Sequence, residues 1–250
     1  MNDADAVVTI SGPMRDEIVN VHRVDPSKVT VIPNSVDVNR FQPQPKSAEL
    51  VRELRLGNSF IVGYISNLSH PREGQEILIR AVAECRRRGD DVIGLLVGDG
   101  GRRSELENLA RSEGVKDHVR FTGNVPFDDI ASYYALIDLF VVPRVDERAA
   151  RLVSPIKPFE AMAMRVPLLT SDLPALVEIV GAGARGRTFK TGDHLDLALQ
   201  IRGLRADSGE RQMLADRAYE WVREERDWAS TARAFSNLYE SMMQPQKVQS

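Results

Sequence analysis

The sequence predicts an α/β protein in which a parallel sheet is flanked by helices. Short apolar runs alternate along the 250 residues with longer stretches of helical periodicity. Strands that alternate with helices of about ten to fifteen residues are typical of parallel sheets covered on both faces. A hydrophobic fraction of 42% with 28% charged residues is that of an ordinary globular protein, and the length suffices for one large or two modest domains.

The pattern of apolar residues predicts the individual strands and helices along the chain. Residues 6–10 form an apolar run that leads into a turn, and residues 75–88 place their apolar side chains at i, i+3 and i+4, as an amphipathic helix does. Residues 166–170 form an apolar run typical of a buried strand. The predicted strands are 6–10, 29–32, 60–65, 92–97, 119–121, 139–142, 167–170 and 187–189. The predicted helices include 13–24, 75–88, 103–113, 128–137, 155–164 and 194–205.

Charge and composition exclude several functions. A net charge of −3 and a pI near 5.9 give no electrostatic basis for binding nucleic acid. The longest apolar run is shorter than a membrane span, and the N-terminus lacks the charged and apolar regions of a signal peptide. The single cysteine, Cys85, excludes an intrachain disulfide and suits a reducing compartment. We therefore expect a cytoplasmic protein, with peripheral association at the inner membrane face left open.

The most informative stretch is 154–172, where three kinds of chemistry converge. Ser154 followed by Pro155 predicts a helix N-cap and a first helical position. The unpaired N–H groups of such a helix end favour an anion, and Lys157 adds a positive charge beside it. Glu160, on an early turn of the same helix, can accept hydrogen bonds from two neighbouring hydroxyls, as a ribose presents them. An anion site next to a diol site predicts binding of a nucleotide sugar.

The sequence resembles family 4 retaining glycosyltransferases over about residues 5 to 243, in both the order and the spacing of its motifs. The clearest match lies in the donor-binding half, at residues 158–163 (PFEAMA), 167–172 (PLLTSD) and 178–180 (EIV). Further matches lie at 31–41, 63–66 with 73–74, 96–101, 121–126, and a closing segment that begins at Trp228 and runs as a helix to Tyr239.

The resemblance implies the GT-B fold, in which two Rossmann-like domains face each other across a cleft, with this chain as the C-terminal, donor-binding half. We expect residues 1–36 to be the last strand–helix unit and linker of an N-terminal acceptor domain. Residues 37–243 are expected to form the nucleotide-sugar domain, and 244–250 a disordered tail. The rest of the acceptor domain is then an expected separate partner.

The implied reaction is transfer of a sugar from a nucleotide-diphosphate sugar, with retention of configuration. The implied acceptor is a sugar or a lipid-linked molecule, in polysaccharide or glycoconjugate synthesis. The resemblance implies no cofactor and no metal, and the four histidines are scattered without a pair at metal-ligand spacing.

Loops at the carboxyl ends of the strands supply further candidates for the donor site, because ligands of open parallel sheets bind there. In the resembled family an arginine and a lysine after one strand clamp the diphosphate. Here these positions hold Asn67 and Glu73. We expect Arg72 to supply the positive charge instead, since charged hydrogen bonds to phosphate are strong, and we expect Asn67 to bind the donor as well.

Two other loops complete the predicted nucleotide cleft. Gly98, Asp99 and Gly100 follow the strand at 92–97, and glycines there would allow a ligand to approach the backbone closely. The resemblance implies that Asn124 and Val125 meet the edge of the base through their backbone, which leaves the identity of the base open.

One departure from the family concerns catalysis. The resembled family has two glutamates with seven residues between them, the second corresponding to Glu160, and the first contacts the transferred sugar. Position 152 holds Leu152. Asp146 or Glu147, in a longer loop, is a candidate replacement, with Lys157 as a third catalytic candidate. Alternatively, Arg148 or Arg151 contacts the phosphates or an acidic sugar.

Two other functions remain compatible with the sequence. One is a non-catalytic nucleotide-sugar-binding module that needs a separate acceptor domain, and the other is a nucleotide-sugar epimerase. Release of free nucleotide would separate transfer from binding, and the configuration of the product sugar would identify an epimerase. An oxidoreductase is disfavoured, because residues 10–15 lack the glycine motif expected after its first strand.

Overall fold

A computed structural model describes residue 1 and residues 3–243 of the chain. The predicted tail, 244–250, lies outside these residues. The strands are β1 (Val7–Thr9), β2 (Val29–Val31), β3 (Phe60–Ile65), β4 (Val92–Val97), β5 (Val119–Phe121), β6 (Leu139–Val142), β7 (Leu168–Ser171) and β8 (Arg187–Phe189). The helices are α1 (Gly12–Asn20), α2 (Ala48–Glu53), α3 (Gln75–Arg87), α4 (Arg103–Ser112), α5 (Ile130–Leu136), α6 (Arg148–Leu152), α7 (Lys157–Ala163), α8 (Pro174–Val180), α9 (His194–Ala206), α10 (Ser208–Glu225) and α11 (Trp228–Met243).

The main sheet confirms the predicted fold class. Within the described residues it has six parallel strands in the order β5-β4-β3-β6-β7-β8. Counted from β3, this is the 3-2-1-4-5-6 order of the Rossmann fold. The chain reverses its direction of winding between β3 and β6, so the loops that follow these two strands diverge and leave a crevice there.

The central strands are buried on both faces, as the near-continuous apolar runs predict. Every residue of β4, β6 and β7 is buried, and α3 covers part of this core with Leu78, Val82 and Cys85 on its inner side. Each fully buried Leu, Ile or Val side chain contributes roughly 1.5–3 kcal/mol to folding. This rigid sheet holds the loops at its carboxyl edge in fixed positions.

The N-terminal segment forms a small unit beside the main sheet. Strands β1 and β2 pair in parallel with each other, and α1 packs on them around Ile18, Val24 and Val29. Two contacts join the start of α1 to the main domain. The Ser11 hydroxyl donates a hydrogen bond to the carbonyl of Leu152, and the backbone N–H of Gly12 donates to Glu178 at 3.0 Å.

Candidate functional site

A cavity of about 360 Å³ lies at the crevice between the loops after β3 and β6. The sheet topology explains its position, because the carboxyl ends of these two strands are where the winding direction reverses. The cavity is lined by Tyr64, Ser66, Asn67, His70, Arg72, Glu73, Val142, Arg144, Pro155, Ile156, Lys157, Pro158 and Glu160.

A second cavity, of about 320 Å³, shares Ser66, Asn67 and Lys157 with the first. It extends toward the loops that follow β4 and β5. Its other lining residues are Ile65, Val97, Gly98, Asp99, Asn124, Val125, Phe127 and Ile130. The two cavities together form one cleft along the carboxyl edge of the sheet, which we call the donor cleft.

The donor cleft brings together most of the residues singled out from the sequence. The first cavity holds Asn67, Arg72, Pro155, Lys157 and Glu160. The second holds Gly98, Asp99, Asn124 and Val125. Four other candidates occupy different places: Gly100 packs against the loop after β3, Ser154 is buried, and Asp146 and Glu147 lie near α6.

A larger groove, of about 750 Å³, opens beside β5 at the edge of the sheet. It includes Arg55, Arg111 and Lys116 together with Glu53 and Asp117. Residues 111, 116 and 117 are exposed, and the groove lies away from the point where the winding reverses. The smaller donor cleft, which lies at that point, is therefore the better candidate for a ligand site.

The predicted cap of α7 is wrong by two residues. The helix begins at Lys157 with Ile156 at the cap position, so Ser154 and Pro155 precede it. The physical reason is Pro158, which is tolerated in the first turn but would collide with the carbonyl four residues earlier in a helix begun at Pro155. Ser154 is instead buried, and its carbonyl accepts a hydrogen bond of 2.8 Å from the Asn34 amide.

The glycines after β4 serve close packing between two loops. A Cβ on Gly98, whose φ is +133°, would lie 2.1 Å from the carbonyl oxygen of Ser66. A Cβ on Gly100 would lie 2.5 Å from the backbone of Leu68. The backbone that approaches these glycines in the structure is that of the loop after β3, and their part in donor binding stays a prediction.

Glu160 projects from the first turns of α7 into the first cavity. The phenol of Tyr134, fully buried on α5, donates a hydrogen bond of 2.5 Å to its Oε2 atom. Burial and the neighbouring Glu160 charge raise the pKa of Tyr134 well above its usual value, so this phenol stays protonated. A carboxylate has about four acceptor positions, so Glu160 retains capacity for two hydroxyl donors.

A buried carboxylate, Glu73, organises the opposite wall of the cavity. Arg144 donates to it from Nε at 3.3 Å and from Nη2 at 3.2 Å, and Arg72 donates from Nε at 3.3 Å. The Tyr64 phenol also donates to Glu73. Burial alone would raise the pKa of Glu73, but the Arg144 charge and the hydrogen bonds outweigh it and lower the pKa.

Sequence reasoning missed Arg144, Tyr64 and Tyr134 as parts of this site. Arg144 stands 71 positions after its partner Glu73, and Tyr134 stands 26 positions before Glu160. One feature of the sequence could have indicated Arg144. Glu73 stands in a loop predicted to bind an anion, and a carboxylate buried there needs a cation beside it.

The candidate replacements for the missing glutamate lie outside the donor cleft. Asp146 forms an ion pair with Arg151, and Glu147 precedes the first residue of α6. Asp146, Arg148 and Arg151 line a separate hollow of about 340 Å³ that faces Glu17 of α1. Arg148 pairs with Glu17 at 2.7 Å, so both arginines have carboxylate partners in this structure.

Residues 1 and 3–243 contain neither a candidate metal centre nor a candidate membrane span. No group of three or more His, Cys, Asp or Glu side chains in this part of the chain is arranged to hold a metal ion. Within the same residues, no helix is both long and apolar enough to cross a membrane.

A Rossmann-like sheet with a cleft at its winding reversal, lined there by charged side chains, is typical of α/β domains that bind nucleotides. The chain belongs to the group 1 glycosyltransferases, whose family model matches residues 59–207. A model described as glycosyltransferase family 4 matches residues 1–40.

Known relatives agree with this assignment. A GDP-mannose-dependent alpha-(1-6)-phosphatidylinositol monomannoside mannosyltransferase of Mycolicibacterium smegmatis is 30% identical over 95% of this chain and 62% of its own length. A D-inositol 3-phosphate glycosyltransferase of Corynebacterium kroppenstedtii is 26% identical over 96% of this chain and 54% of its own. The chain thus spans about 54–62% of the length of these two relatives.

Solved structures show the same fold. The crystal structure of Anabaena HepE in complex with UDP superposes with a TM-score of 0.86 at 25% identity, covering 95% of this chain and 64% of HepE. A glycosyltransferase from Rickettsia africae superposes with a TM-score of 0.82 at 17% identity, over 96% of this chain and 64% of its own.

Proposed function

We propose that this chain is the donor-binding part of a retaining glycosyltransferase that uses a nucleotide-diphosphate sugar. The observation that carries the proposal is the convergence of Glu160, Lys157 and Arg72 in one cavity at the winding reversal of the sheet. Group 1 membership supports the same reaction class. A carboxylate beside two cations suits a ligand that combines a diol with an anionic group.

Each part of the donor has a matching part of the cleft. Glu160 accepts hydrogen bonds from the ribose hydroxyls, while Arg72 and Lys157 meet the diphosphate. The base extends into the second cavity, beside Asn124 and Val125. When the sugar is transferred, negative charge develops on the departing diphosphate, and fixed cations stabilise such charge more effectively than mobile water does.

The acceptor is a hydroxyl of a sugar or a lipid-linked molecule. It is bound by an N-terminal acceptor domain, of which residues 1–36 are only a small part. The mannosyltransferase relative, of which the chain spans 62%, supports a lipid-linked acceptor by its name. We propose GDP and UDP as the first nucleotides to test, since a GDP-mannose-dependent enzyme and a UDP complex are among the similar proteins.

A second candidate is a nucleotide-sugar-binding module without activity of its own. Leu152 favours it, because this position holds a leucine where the resembled family has its first glutamate. The backbone carbonyl of Leu152 accepts a hydrogen bond from the Ser11 hydroxyl of the N-terminal unit. Both candidates require the same donor cleft and differ only in turnover.

Thermal melting against UDP, GDP, ADP, dTDP and CDP tests the donor site. A ligand at 100 times its dissociation constant should stabilise the chain by about 2.7 kcal/mol. We expect a shift with one or two of the five nucleotides, and flat curves across all five would contradict the proposal. Turnover by the full-length protein, with the product anomer assigned by NMR, then tests transfer and retention, and donor binding without turnover would favour the binding module.

A further inference from the structure

Arg144 occupies an unusual position in the donor cleft. Its side chain is only 12% exposed, yet it lines the first cavity, and it pairs with a carboxylate, Glu73, whose side chain is 9% exposed. Buried ion pairs cost desolvation energy and are often replaceable by apolar residues without loss of stability. A buried pair in the wall of a ligand cavity therefore invites a functional explanation.

The hydrogen bonds of Arg144 hold its guanidinium group in place without using all of its donors. Nε and Nη2 donate to Glu73 at 3.3 and 3.2 Å, and Nη1 donates to the carbonyl of Val153 at 3.3 Å. A guanidinium has five N–H groups. One N–H on each terminal nitrogen is thus left over after the contacts to the described residues, and such a pair matches two oxygens of a phosphate.

Glu73, by contrast, is fully engaged. Its two oxygens accept hydrogen bonds from Tyr64, Arg72 and Arg144. This carboxylate therefore orients the two arginines, and its own charge is balanced by them.

The charges of the cavity favour an anion. Three cationic side chains, Arg72, Arg144 and Lys157, and two carboxylates, Glu73 and Glu160, line it, which leaves one net positive charge. Arg72 follows β3 and Arg144 follows β6, so the two arginines come from opposite sides of the crevice. An anionic group bound in the crevice would meet a cation from each side.

We propose that Arg144, oriented by Glu73, binds the diphosphate of the nucleotide donor. This proposal rests on the proposed function, because it names a further contact of that ligand. It gives Glu73 the role of a positioning residue, which acts on the donor through the guanidinium of Arg144.

The test compares how much the diphosphate adds to binding in three proteins. The dissociation constants of a nucleoside and of its diphosphate are measured by calorimetry for the wild type, E73Q and E73Q/R144Q. The E73Q variant separates the two residues, since it removes the carboxylate that orients Arg144 but keeps the arginine itself. The double variant leaves a neutral pair, which avoids an uncompensated buried charge.

In E73Q the preference for the diphosphate over the nucleoside should fall by no more than about threefold, because Arg144 keeps its charge but loses the carboxylate that orients it. In E73Q/R144Q the preference should fall by about ten- to hundred-fold, the equivalent of one charged hydrogen-bonding group, while nucleoside affinity stays unchanged. If the double variant does not fold, R144K supplies the same comparison. It keeps the charge without the fork of donors, and a fall of about tenfold is expected.

An unchanged preference for the diphosphate over the nucleoside in E73Q/R144Q, or in R144K where that variant is used, would overturn the proposal. Arg144 would then serve only to hold the loops after β3 and β6 together. The proposed function would survive that result, because the wild type would still bind the nucleotide. A wild type that binds neither compound would overturn the proposed function and this inference with it.

Discussion

The phenol of Tyr134 donates a hydrogen bond of 2.5 Å to the Glu160 carboxylate, which joins α5 to the first turns of α7. Tyr134 is itself held by edge-to-face contact with Phe41 and by Phe140 of β6. The carboxylate that we assign to the ribose is therefore oriented by a side chain anchored in the core. A protein side chain that is already held in its binding orientation loses little conformational entropy when the ligand binds.

Replacement of Tyr134 by phenylalanine should weaken nucleotide binding without unfolding the protein. Y134F removes the hydroxyl and keeps the ring packing, so the Glu160 carboxylate loses its orientation. We expect the dissociation constant of the cognate nucleoside diphosphate to rise about three- to tenfold, the equivalent of one hydrogen bond. Calorimetry on the purified chain measures the change.

The chain offers a matched control for this substitution. Tyr133 is adjacent on α5, and Y133F should leave the affinity unchanged. The 2′,3′-dideoxy form of the nucleotide, which lacks the diol, should bind Y134F and the wild type equally. If Y134F weakened both nucleotides alike, Tyr134 would act only through general packing.

Substitution of Gly98 should destabilise the protein through the loops of the donor cleft. In G98A the new Cβ would meet the Ser66 carbonyl at 2.1 Å, and alanine would have to adopt a φ of +133°. Backbone strain of this kind costs about 1–3 kcal/mol, and the collision adds to it. Urea unfolding should show a loss of about 2 kcal/mol or more.

Gly101 provides the comparison, because a Cβ there would meet no atom within 4 Å among the described residues. G101A should therefore unfold at nearly the urea concentration of the wild type. Equal stability of G98A and G101A would show that the loops after β3 and β4 are not packed as described.

Stability in acid should depend on Glu73. Its pKa is lowered from the usual 4.5 in the folded protein, because the Arg144 charge and the hydrogen bonds outweigh the effect of burial. The stabilisation is therefore present above about pH 4.5 and is lost as the pH falls through the folded value. One proton contributes a slope of up to about 1.4 kcal/mol per pH unit.

The measurement is the free energy of unfolding of wild type and E73Q in urea from pH 7 to pH 3.5. The difference between the two proteins should be constant near neutrality and should shrink below about pH 4.5, where the wild-type carboxylate takes up its proton. A difference that does not change with pH would mean that Glu73 is not ionised in its buried site.

The sequence was sufficient to predict the sheet and the edge of the sheet where the candidate residues lie. The strands predicted from β3 to β8 each match an observed strand. Strands β4 and β6 have the near-continuous apolar composition of buried parallel strands, whereas β5 and β8 each carry an arginine. The positions of Asn67, Asp99 and Asn124 shortly after strands placed these three residues in one cleft, and Glu160 reaches the same cleft from α7.

Contacts between distant segments could not be predicted in this way. The Arg144–Glu73 pair depends on how the loops after β6 and β3 fold against each other, and the sequence carries no periodicity in such loops. The start of α7 was misplaced for another reason: Ser154 with Pro155 matches a cap pattern, but Pro158 fits the first turn better. Two local patterns thus predicted different starts for α7, and the steric requirement of Pro158 determined the observed one.

The central claim is that Glu160 binds the ribose of a nucleotide in the donor cleft, and the most direct measurement is calorimetric titration of wild type and E160Q with the nucleoside diphosphate that raises the melting temperature. The glutamine keeps the shape of the side chain and removes the charge that strengthens hydrogen bonds to hydroxyls. We predict at least a tenfold loss of affinity in E160Q, together with little difference between the two proteins for the 2′,3′-dideoxy analogue. Equal affinity of wild type and E160Q for the ribonucleotide would contradict the account.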